Sequence, residues 1–335
     1  MLSRNSATLD LGPRFERESN HLPSLLSRRD EFNARRIPFG NDYLDDCLGG
    51  VYPDDLILIG AATGVGKTAL AVNIAWSAAQ RALDPVYLFA LEAEAGEVAA
   101  RIAFGALSGR SGKSYDFGGW WRGRYKDLDA YWPQVQVEIE TQLGRIRTLY
   151  KRKGDFTNHN LSQQLEEIPT DAKLVIVDHL HVVDSEQFSN PNSTQHKTVR
   201  MLRDFALDRS IPVVAISHLR KKQSAERQNL MPSIDDLHGT SELSKIATGV
   251  ILVARDWDTP LDAGRSSTFV QVAKDRRGRA NGMVARLDFN TYGGFYLPGY
   301  SLGHIRWEDR KQGFVAVDRK YLPRWAEHEA CERPF

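Results

Sequence analysis

The segment Gly60-Ala61-Ala62-Thr63-Gly64-Val65-Gly66-Lys67-Thr68 decides the fold class of this chain. It has the form G-x-x-x-x-G-K-T, with the apolar run Leu56–Ile59 before it and a helical pattern from Ala69 onward. A strand, a glycine-rich loop and a helix in this order are typical of a P-loop, whose backbone N–H groups surround nucleotide phosphates at the helix N-terminus. The sequence therefore predicts a nucleotide-binding site over residues 60–69, with Ala69 as its last member.

Two side chains of this loop and one distant acid are expected to bind the phosphates and Mg²⁺. Lys67 would place a cation at the phosphates, and the Thr68 hydroxyl would ligate Mg²⁺. The run Leu174–Val177 is uniformly apolar, as in a strand buried on both faces, and it ends in Asp178. We expect Asp178 to hold the Mg²⁺ shell through water. The alternative is an aspartate that only caps its strand.

A second acid, Glu92, follows the apolar run Val86–Leu91. Because the carboxyl ends of parallel strands face one crevice, Glu92 is placed to polarise the water that attacks the nucleotide. The alternative is a solvated glutamate at a helix start. Glu94 and Glu97 are weaker candidates, since they fall in the following helix.

His218 ends a third run, Val213–Ser217. At the tip of a strand that faces the same crevice, a polar side chain is placed to touch the γ-phosphate and to report its loss to the next loop. The alternative is a histidine with a purely structural role.

Short apolar runs recur along the chain and alternate with helical segments, which indicates a parallel sheet with helices on both faces. The last two runs have no long helix between them and predict antiparallel strands. The expected fold class is therefore α/β, a mostly parallel twisted sheet with antiparallel C-terminal strands. The runs are Leu56–Gly60, Val86–Leu91, Ile146–Tyr150, Leu174–Asp178, Val213–Ser217, Val250–Ala254, Phe269–Lys274 and Ala285–Phe289.

Composition excludes several classes of protein. The 335 residues include 44 Lys and Arg and 43 Asp and Glu, a net charge of +1, so nucleic-acid contact must come from local clusters. Cys47 and Cys331 are the two cysteines, which excludes a disulfide framework and indicates a reducing compartment. Apolar runs fall short of the roughly 18 residues that span a bilayer, and no signal-peptide core follows Met1. We expect a cytoplasmic protein.

The chain divides by pattern into three parts. Residues 1–36 are rich in Arg, Ser and Asn and predict an N-terminal arm, which is either mobile or carries a helix that docks on a neighbouring subunit. Residues 37–310 predict the core, with an insertion at about 109–144 that holds a Gly/Trp-rich turn. Residues 311–335 are charged and predict a peripheral tail.

Three clusters after the core strands are candidates for contact with phosphates of DNA or of a neighbouring nucleotide. Lys221 and Lys222 follow His218 and either bind DNA or form a solvated face. The polar loop His238-Gly239-Thr240-Ser241 suits sequence-independent contact with phosphates. Lys274 and Arg276 leave a late strand and are placed to reach a nucleotide held by another copy of the chain.

These motifs, in this order, resemble the RecA-like ATPase domain of DnaB-type replicative helicases, including the phage primase-helicase and twinkle branches. The resemblance runs from about Ile37 to Phe295. It rests on six ordered motifs: the P-loop, Leu91-Glu92, Val175–Leu180, Ser217-His218-Leu219, Leu237–Ser241 and Lys274-Asp275-Arg276.

The resemblance implies an ATP hydrolase that uses Mg²⁺ and acts as a hexameric ring on single-stranded DNA in replication. It implies Glu92 as the catalytic glutamate, His218 as the γ-phosphate sensor, and Lys274 and Arg276 as a finger that acts in trans. It also implies that the loop His238-Gly239-Thr240-Ser241 binds DNA. It implies a bacterial, phage or plasmid origin and replication partners. Since only about 36 residues precede the core, no collar or primase domain is expected. The alternatives are a RecA-like ATPase that assembles or loads other proteins without unwinding, and a recombinase-type filament.

Overall fold

The computed structural model describes the chain in segments. The described residues are 17–81, 85–111, 113, 115–151, 156–184, 191–219, 231–237, 241–255, 265–278, 282–290, 295–308 and 311–326. The predicted DNA-binding residues Lys221, Lys222, His238, Gly239 and Thr240 lie outside these ranges, and Ser241 is described through its backbone alone. The chain forms two compact units, residues 1–35 and 36–335.

The first unit contains helix α1, and helices and strands alternate along most of the second. The helices are α1 (Leu25–Ala34), α2 (Asp42–Leu48), α3 (Lys67–Arg81), α4 (Glu97–Ser111), α5 (Phe117–Trp121), α6 (Lys126–Asp129), α7 (Trp132–Leu143), α8 (Asn158–Glu166), α9 (Pro191–Arg209) and α10 (Ser241–Ile246). The strands are β1 (Leu56–Ala61), β2 (Val86–Ala90), β3 (Ile146–Tyr150), β4 (Phe156–Thr157), β5 (Leu174–Asp178), β6 (Val183–Asp184), β7 (Val213–His218), β8 (Gly249–Arg255), β9 (Arg265–Asp275), β10 (Val284–Asn290), β11 (Phe295–Tyr296), β12 (Ser301–Glu308) and β13 (Lys311–Ala316).

One large sheet contains all eight predicted strands. Its order is β13-β12-β10-β9-β8-β1-β7-β5-β2-β3, with β11 paired to β10, while β4 and β6 pair separately. The strands from β8 to β3 pair in parallel, and those from β8 to β13 pair antiparallel. The predicted α/β fold class with antiparallel C-terminal strands is confirmed.

Alternate residues of the central strands enter two hydrophobic cores, one on each face of the sheet. In β1, Ile57 and Ile59 pack with Ile74 of α3, whereas Leu56 and Leu58 belong to the core that α8, α9 and α10 cover. Burial on both faces explains why the central strands read as continuous apolar runs rather than as alternating patterns.

The parallel pairing brings the ends of four strands to one edge. Ala61 at the end of β1 pairs with His218 at the end of β7, and Ala90 at the end of β2 pairs with Asp178 at the end of β5. Four segments that are far apart in sequence therefore meet beside the P-loop, as expected for parallel strands.

The predicted insertion is a helical layer between β2 and β3. It begins inside α4 and continues through α5, α6 and α7. The Gly/Trp-rich turn forms α5, where the Phe117 and Trp120 rings lie within 5.6 Å of the Phe104 ring of α4. This layer is thus packed on the first core by aromatic contacts.

The predicted C-terminal tail differs from the observed structure. Residues 311–316 form β13, which pairs with β12 across the assigned boundary at 310. Farther on, the Trp325 ring lies 6.2 Å from the ring of Tyr43, which is buried. The sequence does not reveal this strand because its apolar pair, Phe314 and Val315, is too short to show a strand period.

The first unit is described from residue 17. A 3₁₀ helix spans Glu18–Ser24 and continues into α1, so the described part of the predicted arm is helical. Leu22, Leu25 and Leu26 are all more than half exposed. Docking of this helix on another subunit stays a prediction. Across the described residues, the helices include none with the length and hydropathy that a bilayer span requires.

Candidate active site

The P-loop connects the end of β1 to the first residue of α3. Gly64 and Gly66 have φ of +81° and +98°, a region that glycine enters without the penalty of a side chain. No described heavy atom lies within 4 Å of a Cβ built at either position, so the backbone faces open space there. The loop conformation and the helix N-terminus together present N–H groups for anion binding.

Gly60 is required for packing rather than for a special φ. A Cβ at this position would lie 2.6 Å from Cδ2 of Leu237 and 3.1 Å from Cδ2 of Leu219 and of Leu252. Leu219 and Leu237 also form a β-bridge with one another, and the Leu219 N–H donates to Ala61 O. The two ends of the segment that contains Lys221 and Lys222 are therefore anchored directly on the P-loop strand.

Lys67 is buried, and its ammonium has three partners within the chain. Nζ donates to the carbonyl oxygens of Ala61 (3.4 Å) and Ala62 (3.3 Å) and lies 2.7 Å from Nδ1 of His218. Burial lowers the pKa of Lys67, while the negative charges of Glu92 and Asp178 act in the opposite direction. The side chain thus already lies at the predicted phosphate site, beside both acids.

Thr68 and Asp178 are in contact, as a shared metal site requires. The Thr68 hydroxyl donates a hydrogen bond to Asp178, whose pKa is raised, chiefly by burial. Within the described part of the chain, the buried Oδ1 of Asp178 has no hydrogen-bond partner. An unsatisfied, buried carboxylate oxygen beside a hydroxyl is a donor set that fits Mg²⁺ and its water ligands.

Glu92 extends beyond β2, with 54% of its side chain exposed. Its Oε1 lies 2.7 Å from Nε2 of His179, a residue that is 3% exposed. By contrast, Glu97 makes an ion pair with Arg101 at 2.6 Å and accepts a hydrogen bond from the Glu94 N–H. Of Glu92, Glu94 and Glu97, Glu92 is the one with a described contact to His179, the residue that follows Asp178.

Three histidines form a cluster that the sequence predicts only in part. The rings of His179 and His218 lie 4.1 Å apart, and those of His181 and His218 lie 5.2 Å apart. His179 Nε2 is 2.9 Å from His218 Nε2, and His181 Nδ1 accepts from the His218 N–H. The sequence signal for the two missed residues was the pattern Asp-His-Leu-His at the end of β5.

Lys274, a predicted catalytic residue, is bound within its own chain. Its Nζ donates to the carbonyl oxygens of Ser244 (2.6 Å), Lys245 (3.2 Å) and Ala247 (2.7 Å). These oxygens lie at the C-terminal end of α10, where a cation is stabilising. A role in a neighbouring site stays a prediction for Lys274.

Arg276 and Arg277 differ, although they are adjacent. Arg277 donates to both carboxylate oxygens of Asp55, at 3.0 and 3.1 Å, and stacks on Tyr52. Arg276 is exposed, and within the described residues its guanidinium has no hydrogen bond or ion pair. Burial lowers the pKa of Arg203, and the positive charge of Arg276 lowers it further. Of the two adjacent arginines, Arg276 is thus the one whose guanidinium is not engaged by a described side chain.

A parallel sheet with a P-loop, a buried aspartate and a strand-end glutamate at one edge defines a RecA-like P-loop nucleotide-binding domain. Within that class, residues 37–292 match the family described as the DnaB-like helicase C-terminal domain. This match covers most of the chain, which therefore belongs to that family.

Similar proteins include replicative helicases of low identity. The chain is 26% identical over 247 residues to the replicative DNA helicase DnaB of Pasteurella multocida, covering 69% of this chain and 49% of that protein. It is 27% identical over 306 residues to the DnaB of Mycoplasma genitalium, covering 86% and 62%. The chain thus spans about half of the first relative's length.

Solved structures support the same fold. The ATPase domain of G40P aligns with a TM-score of 0.70 at 20% identity, covering 85% of this chain and 99% of that one. A DnaB-like replicative helicase, described with its interactions with primase, aligns with a TM-score of 0.69 at 20% identity, covering 85% and 67%.

Proposed function

We propose that this chain is an ATP-dependent DNA helicase motor that hydrolyses ATP and moves along single-stranded DNA. The observation that carries the proposal is the convergence of the P-loop, Asp178, Glu92 and His218 at one sheet edge. Membership of the DnaB-like family, whose relatives include named replicative helicases, supports DNA as the track.

Hydrolysis would proceed by in-line attack of water on the γ-phosphate. Glu92 is exposed at the edge of the cluster, where its carboxylate can orient the attacking water and accept its proton. Lys67 neutralises charge that develops on the phosphates, and the loop N–H groups bind the same oxygens.

Thr68 and Asp178 are the residues that would hold Mg²⁺. The metal would supply charge neutralisation at the β- and γ-phosphate oxygens when bound. Asp178 lies at the end of a strand that is buried on both faces, so its position is fixed by the core rather than by a flexible loop.

His218 would transmit the loss of the γ-phosphate to the DNA-binding segments. It contacts Lys67 on one side, and the next residue, Leu219, is bridged to Leu237. Each of these two leucines is followed in sequence by proposed DNA-binding residues. Leu219 precedes Lys221 and Lys222, and Leu237 precedes His238, Gly239, Thr240 and Ser241. A movement of His218 would therefore reach the proposed DNA-binding residues through Leu219 and Leu237.

A complete site would need a second copy of the chain. We assign Arg276 as the trans-acting finger because it is exposed, and Lys274 as the second cation that completes the neighbouring site with it. The assembly we propose is a cytoplasmic hexameric ring, encoded by a bacterium, phage or plasmid, with single-stranded DNA in the pore. One structural neighbour is described with primase, and we propose replication proteins as partners.

The test compares ATP hydrolysis with and without single-stranded DNA, followed by unwinding of a forked duplex. We expect DNA to stimulate hydrolysis, the duplex to separate, and Lys67→Ala to abolish both activities. Lys126→Ala is the matched control, because Lys126 is an exposed lysine on α6. Stimulated hydrolysis without strand separation would favour a loading or assembly factor, and the absence of any stimulation would contradict a DNA motor.

A further inference from the structure

The histidine cluster forms a continuous series of polar contacts from the P-loop lysine to the catalytic glutamate. Lys67 Nζ is 2.7 Å from His218 Nδ1, His218 Nε2 is 2.9 Å from His179 Nε2, and His179 Nε2 is 2.7 Å from Glu92 Oε1. His179, in the middle of the series, is 3% exposed. Its ring is therefore held by packing, and its hydrogen bonds must be made within the cluster.

The hydrogen-bond partners of the His179 and His218 rings determine which ring nitrogen carries the hydrogen. A neutral imidazole has one N–H donor and one acceptor nitrogen. Nδ1 of His179 accepts from the His181 N–H at 3.2 Å, so the ring hydrogen of His179 is on Nε2. Nδ1 of His218 faces an ammonium, which only donates, so the ring hydrogen of His218 is also on Nε2.

The two Nε2–H groups consequently face each other at 2.9 Å and cannot form a hydrogen bond. Among the described contacts of His179 Nε2, the acceptor left for its hydrogen is the carboxylate of Glu92 at 2.7 Å. The contact between Lys67 and His218 thus decides, at a distance, that His179 donates to Glu92.

We propose that His179 is a positioning residue. It holds the Glu92 carboxylate while Lys67 donates to His218, and it releases this carboxylate when Lys67 binds the nucleotide phosphates instead. We call this coupled change of hydrogen bonds the relay. Once Lys67 turns to the phosphates, the hydrogen of His218 is lost from Nε2 to solvent and regained on Nδ1. His218 Nε2 then accepts from His179, and Glu92 is free to orient water. No ring changes its net charge. The inference rests on the proposed function for the role of Glu92.

A transition-metal site is the competing interpretation of the same atoms. Ligand atoms of Glu92, His179 and His218 lie within 4.8 Å of one another. Metal binding through Nε2 of His179 would place the ring hydrogen on Nδ1, where it would meet the His181 N–H. The hydrogen-bond donors around the cluster therefore favour the relay over a metal.

The direct test is the tautomer of His218, read by NMR of protein with ¹⁵N-labelled histidine. We expect Nε2–H in the protein alone and Nδ1–H with Mg²⁺ and a non-hydrolysable ATP analogue. Lys67→Ala should show Nδ1–H without nucleotide, and His179→Phe should abolish that shift in the Lys67→Ala background. An unchanged tautomer in the wild type and in Lys67→Ala would overturn the relay. The readout needs neither hydrolysis nor DNA, so it separates this inference from the proposed function.

A kinetic test separates donation by His179 from simple packing. His179→Gln keeps an N–H donor, whereas His179→Phe keeps the ring volume without one. We expect kcat to fall roughly 10- to 100-fold in His179→Phe at unchanged KM, because His218, which accepts from His179 in the nucleotide-bound state, loses its alignment, and to recover substantially in His179→Gln. His159→Phe is the matched control, because His159 is exposed on α8.

Equal losses of kcat in His179→Phe and His179→Gln would overturn the proposal. Calorimetric titration with Zn²⁺ should show no binding that depends on His179, and such binding would overturn the relay in favour of the metal site.

Discussion

The ammonium of Lys274 donates a 2.7 Å hydrogen bond to the carbonyl oxygen of Ala247, just beyond the end of α10. Two further carbonyls, those of Ser244 and Lys245, accept from the same group. Because α10 begins at Ser241, the last of the residues proposed to contact DNA, Lys274 links the end of this helix to β9 and to Arg276 two residues later.

Lys274→Met should therefore destabilise the fold. The substitution keeps most of the stem but leaves three carbonyls without a charged donor, and we expect a loss of about 1–2 kcal/mol in the free energy of unfolding. Chemical denaturation followed by circular dichroism measures it. Arg276→Met is the matched control and should leave stability unchanged, since Arg276 is exposed. Equal stabilities for the two variants would contradict the structural role of Lys274.

Gly60→Ala should destabilise the chain through a steric clash. The new Cβ would approach Leu237 Cδ2 to 2.6 Å, and overpacking of this kind costs about 1–3 kcal/mol. The control is Gly109→Ala, because a Cβ at Gly109 in α4 meets no described atom within 4 Å. That variant should be neutral or more stable by about 0.5–1 kcal/mol. The same denaturation experiment compares them, and a Gly60→Ala variant as stable as the wild type would refute the close approach.

Glu92→Gln should bind ATP and fail to hydrolyse it at a normal rate. The amide preserves size and hydrogen bonding but cannot accept the proton of water, and a general base contributes roughly 10²- to 10⁴-fold in rate. Steady-state hydrolysis and equilibrium nucleotide binding give the two measurements. Glu94→Gln is the control, because Glu94 is exposed on the same loop. A loss below about tenfold in Glu92→Gln would mean that another acid activates the water.

The sequence predicts the sheet well because its central strands are buried on both faces. Runs such as Leu174–Val177 have no polar alternation, and such runs fit few structures other than a central parallel strand. The location of the residues that end these runs, such as Asp178 and His218, then follows from the topology, since parallel strands end at a common edge.

Contacts that depend on three-dimensional neighbours are not visible in the sequence. The roles of His179 and His181 follow from ring positions around His218, which lies on a different strand. The bonds of Lys274 likewise depend on where α10 ends, and a Lys-x-Arg pattern does not distinguish a helix-capping lysine from one that reaches another subunit. Strand β13 was missed because its pairing with β12, rather than its own pattern, defines it.

Arg276→Ala subunits should bind nucleotide through their own P-loop but lose hydrolysis on the order of 10³- to 10⁵-fold, if Arg276 is a finger that acts in trans. The complementing variant is Lys67→Ala, which lacks the P-loop cation but keeps its arginine. Each variant alone should be inactive. Mixed assemblies of the two contain some interfaces that combine an intact Lys67 on one subunit with an intact Arg276 on its neighbour.

Hydrolysis should return in part when the two variants are mixed and subunit exchange has been confirmed. Titration of the mixing ratio shows whether one complete interface is enough or whether every site in the ring must act in turn. If Arg276 instead binds the DNA backbone, Arg276→Ala would weaken DNA binding and reduce its salt dependence while hydrolysis without DNA stayed intact. Normal DNA-free hydrolysis by Arg276→Ala would therefore refute the finger, and with it the main structural argument that a neighbouring subunit completes the site.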